Sequence, residues 1–154
     1  GTATDYSNYS TITFTENAPV ACTGDIRTLL DWSNYNKVET KNAKFCSLFS
    51  NCSVLTSAPE LPATKLADFC YYLMFNNCKK LSTVTMLALY SEITSKSYCV
   101  TAWLKNAGTD GSITRTLKVM DADAYTALEG NDDLPDIWKK NAAGTTVLYE
   151  NNGK

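Results

Sequence analysis

The feature that most constrains this chain is an internal repeat between Phe45 and Ile93. The segments FCSLFSNCSVLTSAPELPATKLA and CYYLMFNNCKKLSTVTMLALYSEI share one frame. Phe49 aligns with Phe75, Cys52 with Cys78, Leu55 with Leu81 and Leu61 with Leu87, each pair 26 residues apart. Leu48 and Met74 precede the two Phe residues, and Phe45 and Tyr71 lie three residues further back. A period of this length marks units that cannot bury an apolar face alone and must stack on one another.

Within each unit, CSLFSNC and CYYLMFNNC place apolar residues three and four apart, which predicts a short helix or helical turn with one buried face. Asn51 and Asn76-Asn77 end it, because Asn competes for its own backbone and tolerates turn conformations. The segments from Leu55 to Ala58 and from Leu81 to Val84 then read as short strands. Stacking the units pairs these strands and builds a structural ladder from Phe49, Phe75, Cys52, Cys78, Leu55 and Leu81.

The phrase LTSAPELPATKLADFCYYLMFNNCKKL, from Leu55 to Leu81, resembles the BspA-like leucine-rich-repeat proteins. Their repeats read approximately L-x-x-A-P-E-L-P-A-T-x-L-A-x-x-C-Y-x-x-M-F-x-x-C-x-x-L. GDIRTLLDW and CVTAWLKNAGTDGSI are similar to the flanking and closing units, and Pro135 to Trp138 fits the closing Pro-x-x-Trp. Such proteins usually carry more repeats than the two clear ones found here. These are exported surface proteins, often lipoproteins, of anaerobic gut and oral bacteria. The resemblance implies an exported, cell-surface or extracellular module that binds a host or microbial surface protein or glycan, with a lipid anchor upstream as one means of attachment. A monomer is expected.

The expected fold is α/β (α+β): a short leucine-rich-repeat solenoid of about two full repeats plus a degenerate one, with β-rich N- and C-terminal caps. Residues 1–10 are expected as a flexible tail, 11–40 as the N-terminal β cap, 41–108 as repeats and 109–150 as the C-terminal cap of one domain. In the first cap, Thr11 to Phe14 and Ile26 to Leu30 read as strands, with Trp32 and Tyr35 as aromatic cover. Glu92 to Gly108 reads as a degenerate unit, Ile113 to Met120 as a strand, Asp121 to Glu129 as a helix, and Leu134 to Trp138 with Thr145 to Tyr149 as a closing sheet.

Charge and composition narrow the function. The 154 residues carry 14 basic and 16 acidic side chains, and no Lys/Arg run supplies the electrostatic footprint of a nucleic-acid binder. No window is long and apolar enough to span a bilayer. The leading Gly, in place of a start Met, reads as a mature or engineered start with any export signal removed. The six cysteines admit a disulfide framework, yet the shared register of Cys52 and Cys78 favours buried thiols acting as small hydrophobes. With no His in the chain, Ser-His-Asp and Cys-His sites cannot be built, and phosphate-cradling glycine motifs are missing. No metal or other cofactor is expected. The carboxylates Asp121/Asp123 and Asp132/Asp133/Asp136 read as helix starts and a solvated turn.

A non-catalytic binding module is therefore expected, with Ser57, Pro59, Thr83 and Thr85 as outward strand residues and Tyr72 as an outward aromatic. The alternative is a structural spacer with no ligand of its own. A small hydrolase would need two carboxylates facing one cleft.

Overall fold

Two segments alternate cleanly enough to dictate strands. In Thr83–Met86 the Val and Met are buried and the first Thr is exposed, and in Arg115–Val119 every second residue is buried. Such alternation places one face of a strand on a core and the other in solvent. The computed structural model describes residues 5–41, 45–131 and 133–152. It contains five strands: β1 (Val20–Ala21), β2 (Leu55–Ser57), β3 (Thr83–Met86), β4 (Arg115–Val119) and β5 (Thr145–Tyr149). They form one parallel sheet in sequence order. Helix α1 (Tyr90–Ser95) lies between β3 and β4, and α2 (Ala122–Gly130) between β4 and β5.

This overturns the expected fold. A short leucine-rich-repeat solenoid closed by separate β-rich caps does not form; the described residues build one small, uncurled five-stranded parallel sheet with two α-helices. The reason is backbone hydrogen bonding. Val20–Ala21 and the two C-terminal strands carry the same unpaired edges as the strands of the repeat. They satisfy them by extending that sheet, Val20–Ala21 with a shift of register against β2 and Arg115 to Val119 aligned residue by residue on Thr145 to Tyr149. Residues assigned to caps are thereby absorbed into the central element.

The segments opposite the sheet also differ from expectation. CSLFSNC and CYYLMFNNC form no helix; residues 45–51, 68–77 and 101–108 are chains of consecutive turns, the last entered through a bend at 99–100. Within each ribbon alternate N–H groups bond three residues back, as in Met74 to Tyr71 and Asn76 to Leu73. The intervening N–H groups leave the ribbon. Ser47, Phe49 and Asn51 donate to the carbonyls of Tyr72, Met74 and Asn76 at 2.8, 2.9 and 2.7 Å. Tyr71, Leu73, Phe75 and Asn77 donate in turn to Cys99, Thr101, Trp103 and Lys105. Every fourth ribbon residue is left-handed, at Ser47, Asn51, Phe69, Leu73, Asn77, Tyr98, Ala102 and Asn106. For residues with a Cβ this conformation costs on the order of 1–2 kcal/mol each, which the bonds between ribbons offset. The buried pairs Cys70/Tyr71, Met74/Phe75 and Val100 with Trp103/Leu104 recur every three to four residues. Over so short a stretch that pattern is the same as a helix's.

The core lies between ribbons and sheet. Phe49 stacks on Phe75 at 5.8 Å with 12° between planes, and Phe75 meets Trp103 at 6.5 Å. Phe45 and Tyr71 form a second pair at 6.1 Å. Leu55, Leu81, Val84 and Leu117 close the layer from the sheet side, all fully buried. Cys52 and Cys78 are buried at the ribbon ends.

The ends close differently from the sequence reading. Thr11 to Phe14 is not a strand, and Ile26–Leu29 is a 3-10 helix capped by Asp25, whose carboxylate accepts from the Arg27 N–H. Ile26 is buried while Trp32 is 81% exposed, so Trp32 covers nothing. At the other end, Leu134 to Trp138 forms no strand. Asp136–Trp138 is a 3-10 helix that buries Trp138, and the Trp138 indole N–H donates to the Ala107 carbonyl at 3.0 Å. Gly108 lies beneath it at φ +65°, where a Cβ would come within 2.9 Å of the Trp138 ring, the Leu81 carbonyl and Arg115. Arg115 is buried and donates to the carbonyls of Gly108, Ile137 and Ala143. Asp121 caps α2 by accepting from Ala124 N–H. Of the segment expected as a tail, residues 1–4 lie outside the described residues, while Tyr6 stacks on Phe69 at 4.6 Å.

Two substitutions test this core. Phe75→Ala should lower the unfolding free energy by about 3–5 kcal/mol in urea titration; a loss below about 1 kcal/mol would place the ring outside the core. The Tyr71 hydroxyl is buried with no hydrogen-bond partner among the described residues. Tyr71→Phe should therefore raise stability by about 1 kcal/mol, since it removes an unsatisfied group and keeps the ring.

Candidate functional site

The parallel register decides which side chains meet on the solvent face of the sheet. Ser57 on β2 is paired with Thr83 on β3, Thr83 with Thr116 on β4, and Thr116 with Thr146 on β5. Residues paired across a parallel ladder share a face. Four hydroxyls thus form one rank across four neighbouring strands, spaced at the roughly 4.8 Å that separates strands. A second rank runs Thr85, Lys118, Leu148. Lys118 is ion-paired with Glu150, which leaves the face close to neutral. Beside the first rank, the Ser82 and Thr56 hydroxyls are spent on cross-strand carbonyls, at 2.8 and 3.1 Å.

Of the residues singled out from sequence, Ser57, Thr83 and Thr85 fall on this face. Pro59 does not. It is buried beyond the end of β2, lining a cavity of about 210 Å³ with Ile12, Cys22 and Phe49. Tyr72 lies away from the sheet on the ribbon side. There it meets Phe69 edge-on at 5.5 Å and packs, half-buried, over Cys46. Phe69 also stacks on Tyr98 at 5.0 Å, which completes a short aromatic column with Tyr6. Thr116 and Thr146 were not among the sequence candidates. The alternation RTLKV points to Thr116, but its register on Thr83 spans two elements with no shared motif.

The remaining reactive groups have structural work. All six cysteines are free thiols. Burial pushes Cys70 and Cys78 up to about 12 and Cys99 to about 11, so they stay protonated and non-nucleophilic near neutrality. Cys78 donates to the Phe49 carbonyl at 3.0 Å. Among the described residues no three Cys, Asp or Glu side chains gather as metal ligands. Asp123 sits in the first turn of α2, the Asp133 carbonyl accepts the Trp103 indole N–H, and Asp136 is paired with Lys139 at 2.8 Å. Asp132 lies outside the described residues. No helix among them is long and apolar enough to cross a membrane.

Comparison of the chain with protein-family models, curated proteins and solved structures gave no match.

The thiols yield a pH prediction with a definite sign. A thiol whose folded pKa is raised holds its proton while the unfolded chain loses it, so stability is full below the ordinary value near 9 and falls as pH rises toward 12. Urea midpoints should be flat with respect to these groups from pH 6 to 8 and decline from pH 9 upward. A midpoint that rose over that interval would contradict their burial.

Proposed function

We propose that this chain is a non-catalytic recognition module whose sheet face engages an extended glycan, in an exported, surface-exposed setting. The observation that carries the reading is the in-register rank of Ser57, Thr83, Thr116 and Thr146. Hydroxyls both donate and accept, and their regular spacing is comparable to the repeat of a hexopyranose along an extended polysaccharide. The face lacks the Trp, Tyr and Arg anchors that dominate protein–protein hot spots, which favours a sugar over a folded protein. Its near-neutral charge suits an uncharged polymer. The exported setting is supported by the similarity of Leu55 to Leu81 to bacterial surface proteins.

Binding of the labelled chain to an array of polysaccharides tests the reading, with the Thr83→Glu/Thr116→Glu variant run beside it. These side chains face solvent, so the variant should keep the parent's thermal transition and lose at least tenfold in affinity for any glycan the parent retains. Silence across the array, or a glycan bound equally by the variant, would remove the sheet face as the site. Silence would favour a spacer.

A further inference from the structure

The turn ribbons export backbone donors in one direction only, and the last ribbon has nowhere to send them. Ser47, Phe49 and Asn51 bond onward to the second ribbon, and Phe69, Tyr71, Leu73, Phe75 and Asn77 bond onward to the third. The equivalent donors of the third ribbon are Tyr98, Val100, Ala102, Leu104 and Asn106. The Val100 N–H is turned to the Cys99 thiol, and Leu104 is fully buried. Among the described residues the Ala102 and Asn106 N–H groups have no acceptor and belong to residues that line a groove. A carboxamide column ends at the same edge. The Asn77 side-chain amide donates to the Asn51 Oδ1 at 2.7 Å, and that of Asn106 donates to the Asn77 Oδ1 at 3.0 Å. The Asn106 Oδ1 is left as an open acceptor.

This edge borders a groove of about 620 Å³. Thr101, Ala102, Lys105 and Asn106 line one wall, with Asn131 and residues 133–136 lining the other. We propose that the groove docks a peptide segment of a partner protein in the same turn-ribbon conformation, whose backbone carbonyls accept from Ala102 and Asn106 and whose asparagine continues the carboxamide column. The internal interfaces supply the register. Leu73, Phe75 and Asn77 reach the carbonyls of Thr101, Trp103 and Lys105, and the residue after the last of these is the column asparagine, Asn106. The occupant therefore offers carbonyls at its first and fifth residues, to Ala102 and Asn106, and Asn at its sixth.

A second copy of the chain is a poor occupant. Its own first ribbon would have to present the carbonyls, and there the Leu48 carbonyl already accepts from Ile12 N–H at 2.6 Å. Tyr6 also lies against that end, stacked on Phe69. A loose segment from another protein meets neither obstacle. The groove carries Lys105 together with Asp133 and Asp136, so mixed charge leaves selection to backbone geometry and the carboxamide. This is peptide recognition by addition to an open backbone edge, and it is independent of the sheet face.

The probe is an acetylated, amidated peptide with the sequence of residues 100–107, VTAWLKNA, titrated into the ¹⁵N-labelled full chain. In the free protein the Ala102 and Asn106 amides should exchange with solvent as unprotected groups. Saturating peptide should move both resonances and slow their exchange at least tenfold. A peptide with Leu in place of its Asn should bind at least tenfold more weakly, and Asn131→Trp, which fills the groove, should abolish binding without changing the thermal transition. No response at millimolar peptide would overturn the proposal. So would resonance shifts confined to the sheet face, or binding undiminished in Asn131→Trp.

Discussion

The structure depends on the export of every second ribbon N–H to the next ribbon. An α-helix at these positions would keep its hydrogen bonds to itself and leave successive layers joined by side chains alone. Here the bonds from Ser47, Phe49 and Asn51 to Tyr72, Met74 and Asn76 join two layers through the main chain. The parallel sheet does the same on the opposite side. Each layer is thus held at both edges by directional bonds, and Phe49, stacked on Phe75, and Trp103, tilted against it, are fixed between them. The left-handed residues that recur every four positions are the conformational cost of that arrangement.

Such a stack has to end, and its two ends are solved unequally. At the N-terminal end short polar turns suffice, with Asp25 and Arg27 paired over the buried Ile26. The C-terminal end buries larger groups. Trp138 sits on Gly108, and Arg115 gathers three backbone carbonyls, of which that of Ile137 also accepts from the Thr145 hydroxyl. A guanidinium suits that task because its donors form a rigid fork. The third ribbon's own donors are not served by these groups. The same backbone chemistry that organises the interior therefore reaches the surface as an open edge.

The sheet face and the thiols show how packing sorts chemistry. Hydroxyls fall on the solvent side because alternate strand positions are claimed by Leu117, Val119, Val84 and Met86. Cys52 and Cys78 fall where a ribbon ends against the core, and burial keeps Cys70 and Cys78 protonated. The molecule thus presents regularly spaced neutral polar groups and withholds five of its six thiols, Cys22 being half-buried.

The sequence by itself determined the layering: the 26-residue register of Phe49 on Phe75 and Cys52 on Cys78, the strand at Thr145–Tyr149, a strand in the second repeat read at Leu81 to Val84 and found two residues later at Thr83–Met86, the helix after Asp121, and Ser57, Thr83 and Thr85 as outward residues. These are local or periodic signals, and periodicity reports burial directly. Only the tertiary structure decided the rest. A chain of turns and a helix bury residues at nearly the same spacing over eight positions, so CSLFSNC could not reveal which one it forms. Whether cap strands stand apart or join the sheet depends on long-range pairing of backbone edges, which carries no side-chain signature. Pro59 was misplaced because it lies just beyond a strand, where the path of the chain is set by what it meets in space; Tyr72 lies inside its periodic segment, and its surroundings are set by Phe69 and Cys46 rather than by the spacing.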